Sequence, residues 1–263
     1  MKITLFTSNN HRHNYLINLL SNFCSRLFVV QECKTLFVNN SIEKKNQDKK
    51  IMEKYFINVL EAQNKIFKEN LVNRNKEKVK KFEIKNGELN HLPLSYLDEY
   101  LRSDIYIIFG SSYIKGELLE FLIKQKAINI HAGVSPYYRG TDCNFWALFD
   151  GNPHLVGSTI HLLAKGLDNG PMLYHAMSNL KTTPFEYTMS AVKSAFHSIA
   201  ERIKDGSLFS IEPISQDKEK QVRYSKKNDF REQVVKEYFE MKIDLNIKQF
   251  DKSLLKDPFF LND

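Results

Sequence analysis

Asn129 and His131 lie two residues apart in Ile128-Asn129-Ile130-His131, and Asp168 follows in the turn-like Gly166-Leu167-Asp168-Asn169-Gly170-Pro171. An amide, an imidazole and a carboxylate are the groups that polarise a carbonyl and move a proton near neutral pH. Successive side chains on an extended strand point to opposite faces, so Asn129 and His131 share one face while Ile128 and Ile130 anchor the other. The next stretch, Gly133-Val134-Ser135-Pro136-Tyr137-Tyr138-Arg139-Gly140, carries glycine at both ends and proline inside, and reads as a loop. A strand whose carboxyl end opens onto a loop is where open α/β sheets hold ligands. Each piece alone has a plainer reading as a satisfied structural histidine or ordinary turn chemistry. Their combination is what points to a reaction centre.

That combination resembles the formyltransferases that use 10-formyltetrahydrofolate. They carry Asn-x-His, a loop ending in Pro-x-Tyr-Arg-Gly or a near variant, and then an Asp-x-Gly turn. Here these are Asn129-Ile130-His131, Pro136-Tyr137-Tyr138-Arg139-Gly140 and Asp168-Asn169-Gly170, with 37 positions from His131 to Asp168. Trp146-Ala147-Leu148 and Gly157-Ser158-Thr159-Ile160-His161 are also similar to the family's helix and strand. The likeness is good over about residues 104–180, weaker over the first thirty and slight elsewhere. The loop reads Gly133-Val134-Ser135-Pro136 where many relatives have Ser-Leu-Leu-Pro, a departure that touches the loop and not the three polar residues.

The resemblance implies an α/β fold, a Rossmann-like open parallel sheet flanked by helices. It implies a catalytic domain over residues 1–206 and a small C-terminal extension over 207–263. The formyl donor would be 10-formyltetrahydrofolate, with Asn129, His131 and Asp168 catalytic. Backbone groups of Ser111, Ser112, Tyr113 and Ile114 would hold its pterin, together with Lys165, Gly166 and Leu167; plain strand-to-helix turn chemistry is the alternative for 111–114. Asn129 and an N–H-bearing His131 would donate to the charge developing on the formyl oxygen. Asp168 would favour the charged imidazole and fix its ring, or take the amine's proton through water; the sequence leaves that division open.

The acceptor is read as a small-molecule primary amine, most simply that of a nucleotide-linked amino sugar. Methionyl-tRNA formyltransferases usually add a C-terminal β-barrel, for which the residues after Gly206 are few. Glycinamide ribonucleotide formyltransferases usually have a glycine-rich phosphate loop after the first strand, and Thr7-Ser8-Asn9-Asn10 has no glycine. These two acceptors, hydrolysis of the donor, and an inactive folate- or nucleic-acid-binding relative are the competing readings. Hydrolases of the donor usually bring an N-terminal regulatory domain, whereas this chain starts directly with the sheet. A homodimer paired through the C-terminal part is a family-based expectation.

With 263 residues, 42% of them hydrophobic, the chain can bury a full α/β core. Cys24, Cys33 and Cys143 are odd in number and scattered, with no metal-ligand spacing, which fits free thiols in a reducing compartment and no metal. No apolar run reaches the roughly 18 residues of a spanning helix, and the start suits a strand better than a signal peptide, so a cytoplasmic protein without a membrane partner is expected. The net charge of +7 favours an anionic substrate, although lysine-rich surfaces are also simply solubilising.

The elements that must position the polar residues follow from periodicity. Residues 2–7 and Leu27-Phe28-Val29-Val30 read as strands around a helix carrying Tyr15, Leu16, Leu19, Leu20 and Phe23, a β-α-β opening with a parallel sheet. Ser8, Asn9 and Asn10 either cap that helix or present its N-terminus to an anion of the acceptor. Residues 39–90 turn to Lys, Asn and Glu with apolar residues at helical intervals, and the charge run 73–81 reads as a solvated helix face, with phosphate binding the sharper alternative. Ile105-Tyr106-Ile107-Ile108-Phe109 is a central strand followed by a helix, and further strands at 156–163 and 172–177 lead to a helix at 187–203. Arg139 offers a planar fork to phosphate or carboxylate, or makes a structural salt bridge. His161, on a strand face, reads as packed or hydrogen-bonded rather than catalytic.

Overall fold

The computed structural model describes residues 1–34, 47–68, 75–179, 182–247 and 250–261. In chain order the elements are β1 (Lys2–Ser8), α1 (His11–Ser21), β2 (Arg26–Cys33), α2 (Gln47–Ile66), β3 (Val79–Lys85), β4 (Ile105–Phe109), α3 (Gly116–Lys124), β5 (Ile128–His131), β6 (Tyr138–Gly140), α4 (Cys143–Phe149), β7 (Ser158–Leu162), β8 (Met172–Ser178), α5 (Pro184–Lys204), β9 (Arg223–Ser225), α6 (Glu232–Glu240) and β10 (Phe259–Leu261).

Eight of the strands form one sheet in the order β10-β8-β7-β5-β4-β1-β2-β3. All its pairings are parallel except those of β7, which runs against both β5 and β8. The sheet is therefore open, mostly parallel and flanked by helices, as expected, with β7 its one antiparallel strand. Residues 163–171 between β7 and β8 are too few for the dozen or more residues of a parallel crossover, so the two strands pair antiparallel.

Alternation along each strand sorts the core. Ile3, Leu5, Leu27, Val29, Ile107, Phe109, Ile128 and Ile130 face α1 and α5, meeting Tyr15, Leu16, Leu20, Val192, Phe196 and Ile199. Phe6, Phe28, Val30, Tyr106 and Ile108 face the other way, onto Leu118, Leu119 and Leu122 of α3. Ile128 and Ile130 thus anchor one side of β5, as alternation predicted, and turn Asn129 and His131 to the other. α5 starts where Pro184 occupies its first turn and the Thr183 hydroxyl accepts the Glu186 amide at 3.2 Å.

Two expectations are corrected here. The charge run 73–81 is not a helix face from Val79 onward but the edge strand β3, whose Phe82 and Ile84 pack inward while Lys80 pairs with Glu99 and Lys81 reaches Gln31 Oε1 at 3.0 Å. Its period-two pattern was masked by charge, and lysines on an edge strand discourage pairing with other chains. Positions 73 and 74 lie outside the described residues. The loop 133–140 ends in β6, which pairs in parallel with β9, so residues far apart in sequence lock the loop's last three positions.

Residues 207–263 add β10 to the main sheet, and Tyr238 of α6 and Phe250 join Phe145, Trp146, Leu148 and Tyr187 in a third apolar cluster. Among the described residues no helix is long and apolar enough to cross a membrane.

Phe196 is fully buried and meets Tyr15, Phe67 and Phe109 at ring-centroid distances of 4.8–6.4 Å. Phe196→Ala is expected to cost about 3–5 kcal/mol of unfolding free energy, read as a lowered denaturant midpoint.

Candidate active site

The antiparallel register sets Asn129 directly opposite His161 and His131 opposite Thr159. The His161 Nδ1–H donates to the Leu162 carbonyl at 2.8 Å, which leaves its Nε2 bare to accept the Asn129 amide at 2.9 Å. Asn129 Nδ2 also donates to Asp168 Oδ1 at 3.4 Å. His131 Nδ1 stands 3.2 Å from Asp168 Oδ2, and its Nε2 lies 3.1 Å from the Tyr138 carbonyl. The fold thus brings Asn129, His131 and Asp168 together, and His161, read from the sequence as packed or hydrogen-bonded rather than catalytic, is both and lies 3.8 Å from Asp168.

Both ring nitrogens of His131 face groups that only accept, a carboxylate and a carbonyl, so the ring carries two protons and a positive charge. Burial alone would pull its pKa down, but the Asp168 carboxylate reverses this and holds it well above the ordinary histidine value. Burial likewise pushes Asp168 up, and the His131 imidazolium holds it well below the usual carboxylate range. At neutral pH the centre is an imidazolium beside a carboxylate, both nearly sealed from water.

Asp168 adopts φ 46°, in the left-handed region that few non-glycine residues occupy, between Gly166 at φ 97° and Gly170, whose Cβ would fall 1.6 Å from the Leu162 carbonyl. The turn is gripped by side chains. Arg139 donates from Nη2 to the Leu167 carbonyl at 3.0 Å and the Asn169 amide oxygen at 3.2 Å, from Nε to the Asp168 carbonyl at 3.3 Å, and from Nη1 to Gln221 at 3.3 Å. Of the two roles the sequence left to Arg139, steering an anion or bracing the structure, these bonds are of the second kind, though to neutral oxygens rather than in a salt bridge. Its buried fork is spent on neutral oxygens of the turn that aims Asp168.

A cavity of about 1100 Å³ opens beside the polar cluster. Ser111, Ser112, Tyr113, Ile114, Gly166 and Leu167 line it, along with Ser8 and Asn10. Not all their groups are open to a ligand: Glu32 accepts both the Ser112 amide and hydroxyl, and the Tyr113 carbonyl accepts from Asn90. Two expected binding residues are absent from the wall. Lys165 extends into solvent, 2.7 Å from Glu120, and Asn9 spends its side chain on the amide and carbonyl of Lys34, tying the ends of β1 and β2.

Sequence reasoning missed Arg12, His13, Lys34 and the aromatic wall of Tyr55, Phe56 and Tyr224 in the same cavity. A signal for the first two existed. His11-Arg12-His13 puts basic residues in a helix's first turn, where the backbone dipole disfavours them, and that turn holds no acidic residue. Burial, then Arg12 and Lys34, hold the His13 pKa down at about 3, so this ring is neutral. Among the described residues no group of three His, Cys, Asp or Glu side chains is placed to hold a metal, and the three cysteines are free thiols.

A family model described as formyl transferase matches residues 34–204, well over half of the chain. The chain belongs to the formyl transferase family. Methionyl-tRNA formyltransferase of Thermosynechococcus vestitus is 33% identical over 98 residues, an alignment spanning 36% of this chain and 29% of that protein. The matched stretch is therefore less than a third of that relative's length. The N-formyltransferase of Helicobacter canadensis, solved with folinic acid and dTDP-3-aminofucose, superposes with a TM-score of 0.51 at 16% identity, covering 88% of this chain and 72% of that one. Glycinamide ribonucleotide transformylase 1 of Symbiobacterium toebii gives 0.53 at 14%, covering 82% and 94%. At such identities these formyl transferases share the fold.

The centre's electrostatics are directly testable. Removing the charge in Asp168→Asn leaves burial to dominate, so the His131 titration followed by NMR should drop from above to below about pH 6.5. In the wild type, His131 contributes stability that is present below its ordinary pKa and lost as pH rises through the raised one. Asp168 contributes stability present above its ordinary pKa and lost as pH falls through the depressed one. Unfolding free energy should therefore respond less to pH in the variant; an unchanged His131 titration would contradict the assignment.

Proposed function

We propose that this protein transfers the formyl group of 10-formyltetrahydrofolate to a primary amine, and that the amine belongs to a nucleotide-linked amino sugar. The reading rests above all on the buried His131–Asp168 pair with Asn129 at the carboxyl end of β5, open to a cavity large enough for two substrates. The donor fits the strand-end wall of Ser111, Ser112, Tyr113, Ile114, Gly166 and Leu167, and brings the formyl carbonyl as its chemistry.

As the amine adds to that carbonyl, negative charge grows on the formyl oxygen. The fixed imidazolium of His131 offsets it, and the Asn129 amide turns to it by giving up its 3.4 Å bond to Asp168 while keeping His161. The amine's proton must reach the departing nitrogen of the donor. His131 is already charged and does not serve as the base. Asp168, held strongly acidic, suits a relay through water more than a lasting store of the proton.

The acceptor reading draws on the cavity wall beside α1. Arg12 and Lys34 line it beside the N-terminus of α1, where no side chain caps the helix and the buried Ser8 hydroxyl has no partner. That wall is short of an anion, which the phosphates of a nucleotide sugar would supply. Tyr55, Phe56 and Tyr224 offer faces to a base. A second reading, transfer to the methionyl end of a tRNA, is favoured by the curated relative described above.

Purified protein given 10-formyltetrahydrofolate with a panel of amino-sugar nucleotides, methionyl-tRNA and glycinamide ribonucleotide should yield an N-formyl sugar nucleotide by mass spectrometry. Formate release without acceptor would instead mark a hydrolase. Asn129→Ala, His131→Ala and Asp168→Ala should each lower kcat about 100- to 1000-fold with the fold intact by circular dichroism. Arg12→Gln should raise KM for the acceptor while KM for the donor stays near its wild-type value; equal effects on both would misplace the anion.

A further inference from the structure

Gln216 lies in the C-terminal stretch, where the sequence offered no functional reading, yet its side-chain amide donates to the Asp168 carbonyl and to the Gly170 carbonyl, each at 2.8 Å. The orientation of this amide is dictated by its partners. Turning it over would set Oε1 against two carbonyl oxygens, so Nε2 must face the turn. The cost is visible on the other side, where Gln216 Oε1 is buried without a hydrogen-bond partner. An isolated bridge between Met172 and Ile214 fixes the approach, with the Met172 amide on the Ile214 carbonyl at 2.7 Å and the reverse bond at 2.9 Å.

The need for such a grip is local. Asp168 aims its carboxylate at His131 only because its backbone sits at φ 46°, which an ordinary side chain leaves readily for a negative φ. Arg139 holds the incoming half of the turn through the Leu167 and Asp168 carbonyls, and Gln216 holds the outgoing half through Asp168 and Gly170. The Asp168 carbonyl is the one oxygen that both side chains share. Because Gln216 touches only the backbone, it leaves the carboxylate's two oxygens to His131, Asn129 and His161.

We propose that Gln216 is a positioning residue of the reaction centre, through which the C-terminal segment sets the aim of the Asp168 carboxylate. The inference rests on the formyl-transfer reading for its catalytic consequence but not for its structural one, and the two are measured separately. Gln216→Met keeps length and removes both donors; Gln216→Glu places a carboxylate against the two carbonyls.

Both variants should bring the His131 titration, followed by NMR without any substrate, down by about one pH unit or more as the carboxylate loosens from Nδ1. They should also cut kcat for formyl transfer roughly 10- to 100-fold, with KM for donor and acceptor changed less than threefold. Gln216→Glu should be the more severe. If both variants melt within a few degrees of wild type and leave the His131 titration and kcat unmoved, the proposal is overturned. A loss that appears only as raised KM, with the His131 titration unmoved, also overturns it, since that is the mark of a cavity wall. Should the wild type transfer no formyl group at all, the titration arm alone decides Gln216, and the functional reading fails by itself.

Discussion

A positive ring and a negative carboxylate held 3.2 Å apart out of water make severe demands on everything around them. Desolvating two charges costs several kcal/mol per ion, and the attraction between them repays this only if the remaining lone pairs and protons are also satisfied. Here the far nitrogen of His131 finds the Tyr138 carbonyl, and the free oxygen of Asp168 finds Asn129 with His161 behind it. Each partner comes from a different element: β5, β6, β7 and the turn before β8. The centre is thus less a motif than a meeting point, and its existence obliges four segments to keep their registers.

The short strand β6 carries two of these obligations on adjacent residues. The Tyr138 carbonyl receives the imidazolium, while the next side chain, Arg139, grips the turn that carries the carboxylate. Both halves of the ion pair are therefore referenced to the same three residues of backbone. β6 is in turn fixed by β9, and Ser225 of β9 approaches Gly140 so closely that a Cβ there would fall 2.0 Å from the Ser225 carbonyl. Arg223 adds a bidentate pair with Asp150 and lies over the Trp146 ring at 4.3 Å. The C-terminal segment, through β9, thus fastens the frame around the ion pair.

Much of this was legible in the residues and some was not, for identifiable reasons. Asn129 and His131 announced themselves because alternation ties spacing to face, and Ile128 and Ile130 made the other face unmistakable. Asp168 was legible only as part of a combination, since a turn sequence has many uses. His161 was legible as a packed or hydrogen-bonded histidine, but its partner is set by antiparallel register with β5, a long-range fact that no local pattern contains. Arg139 was left between two roles for a related reason: a guanidinium fits phosphate and backbone carbonyls equally well, and only the fold shows which oxygens surround it. β3 hid behind its charge, since four of its seven residues are Lys or Glu, and β7's reversal depends on the shortness of a connection. Gln216 left no trace at all, because a single amide in a weakly patterned segment has no periodicity to betray it.

The cavity walls beside β5 and beside α1 differ in a way that bears on how a ligand would lie between them. At β5 the imidazolium and the carboxylate leave no net charge, so the polar groups there act at short range, on the atoms directly beside them. Beside α1, Arg12 and Lys34 line the wall at the positive end of a helix, and Asp142 is the carboxylate that acts on Arg12. Burial pulls the Arg12 pKa down while Asp142 opposes it, as expected for a guanidinium taken from water without a full complement of anions. A ligand carrying anionic charge at one end and a neutral amine at the other would be oriented before any reacting atom was touched. The binding energy gained at the charged end would then be available to order the amine at the buried pair, remote contacts paying for geometry at the reacting carbon.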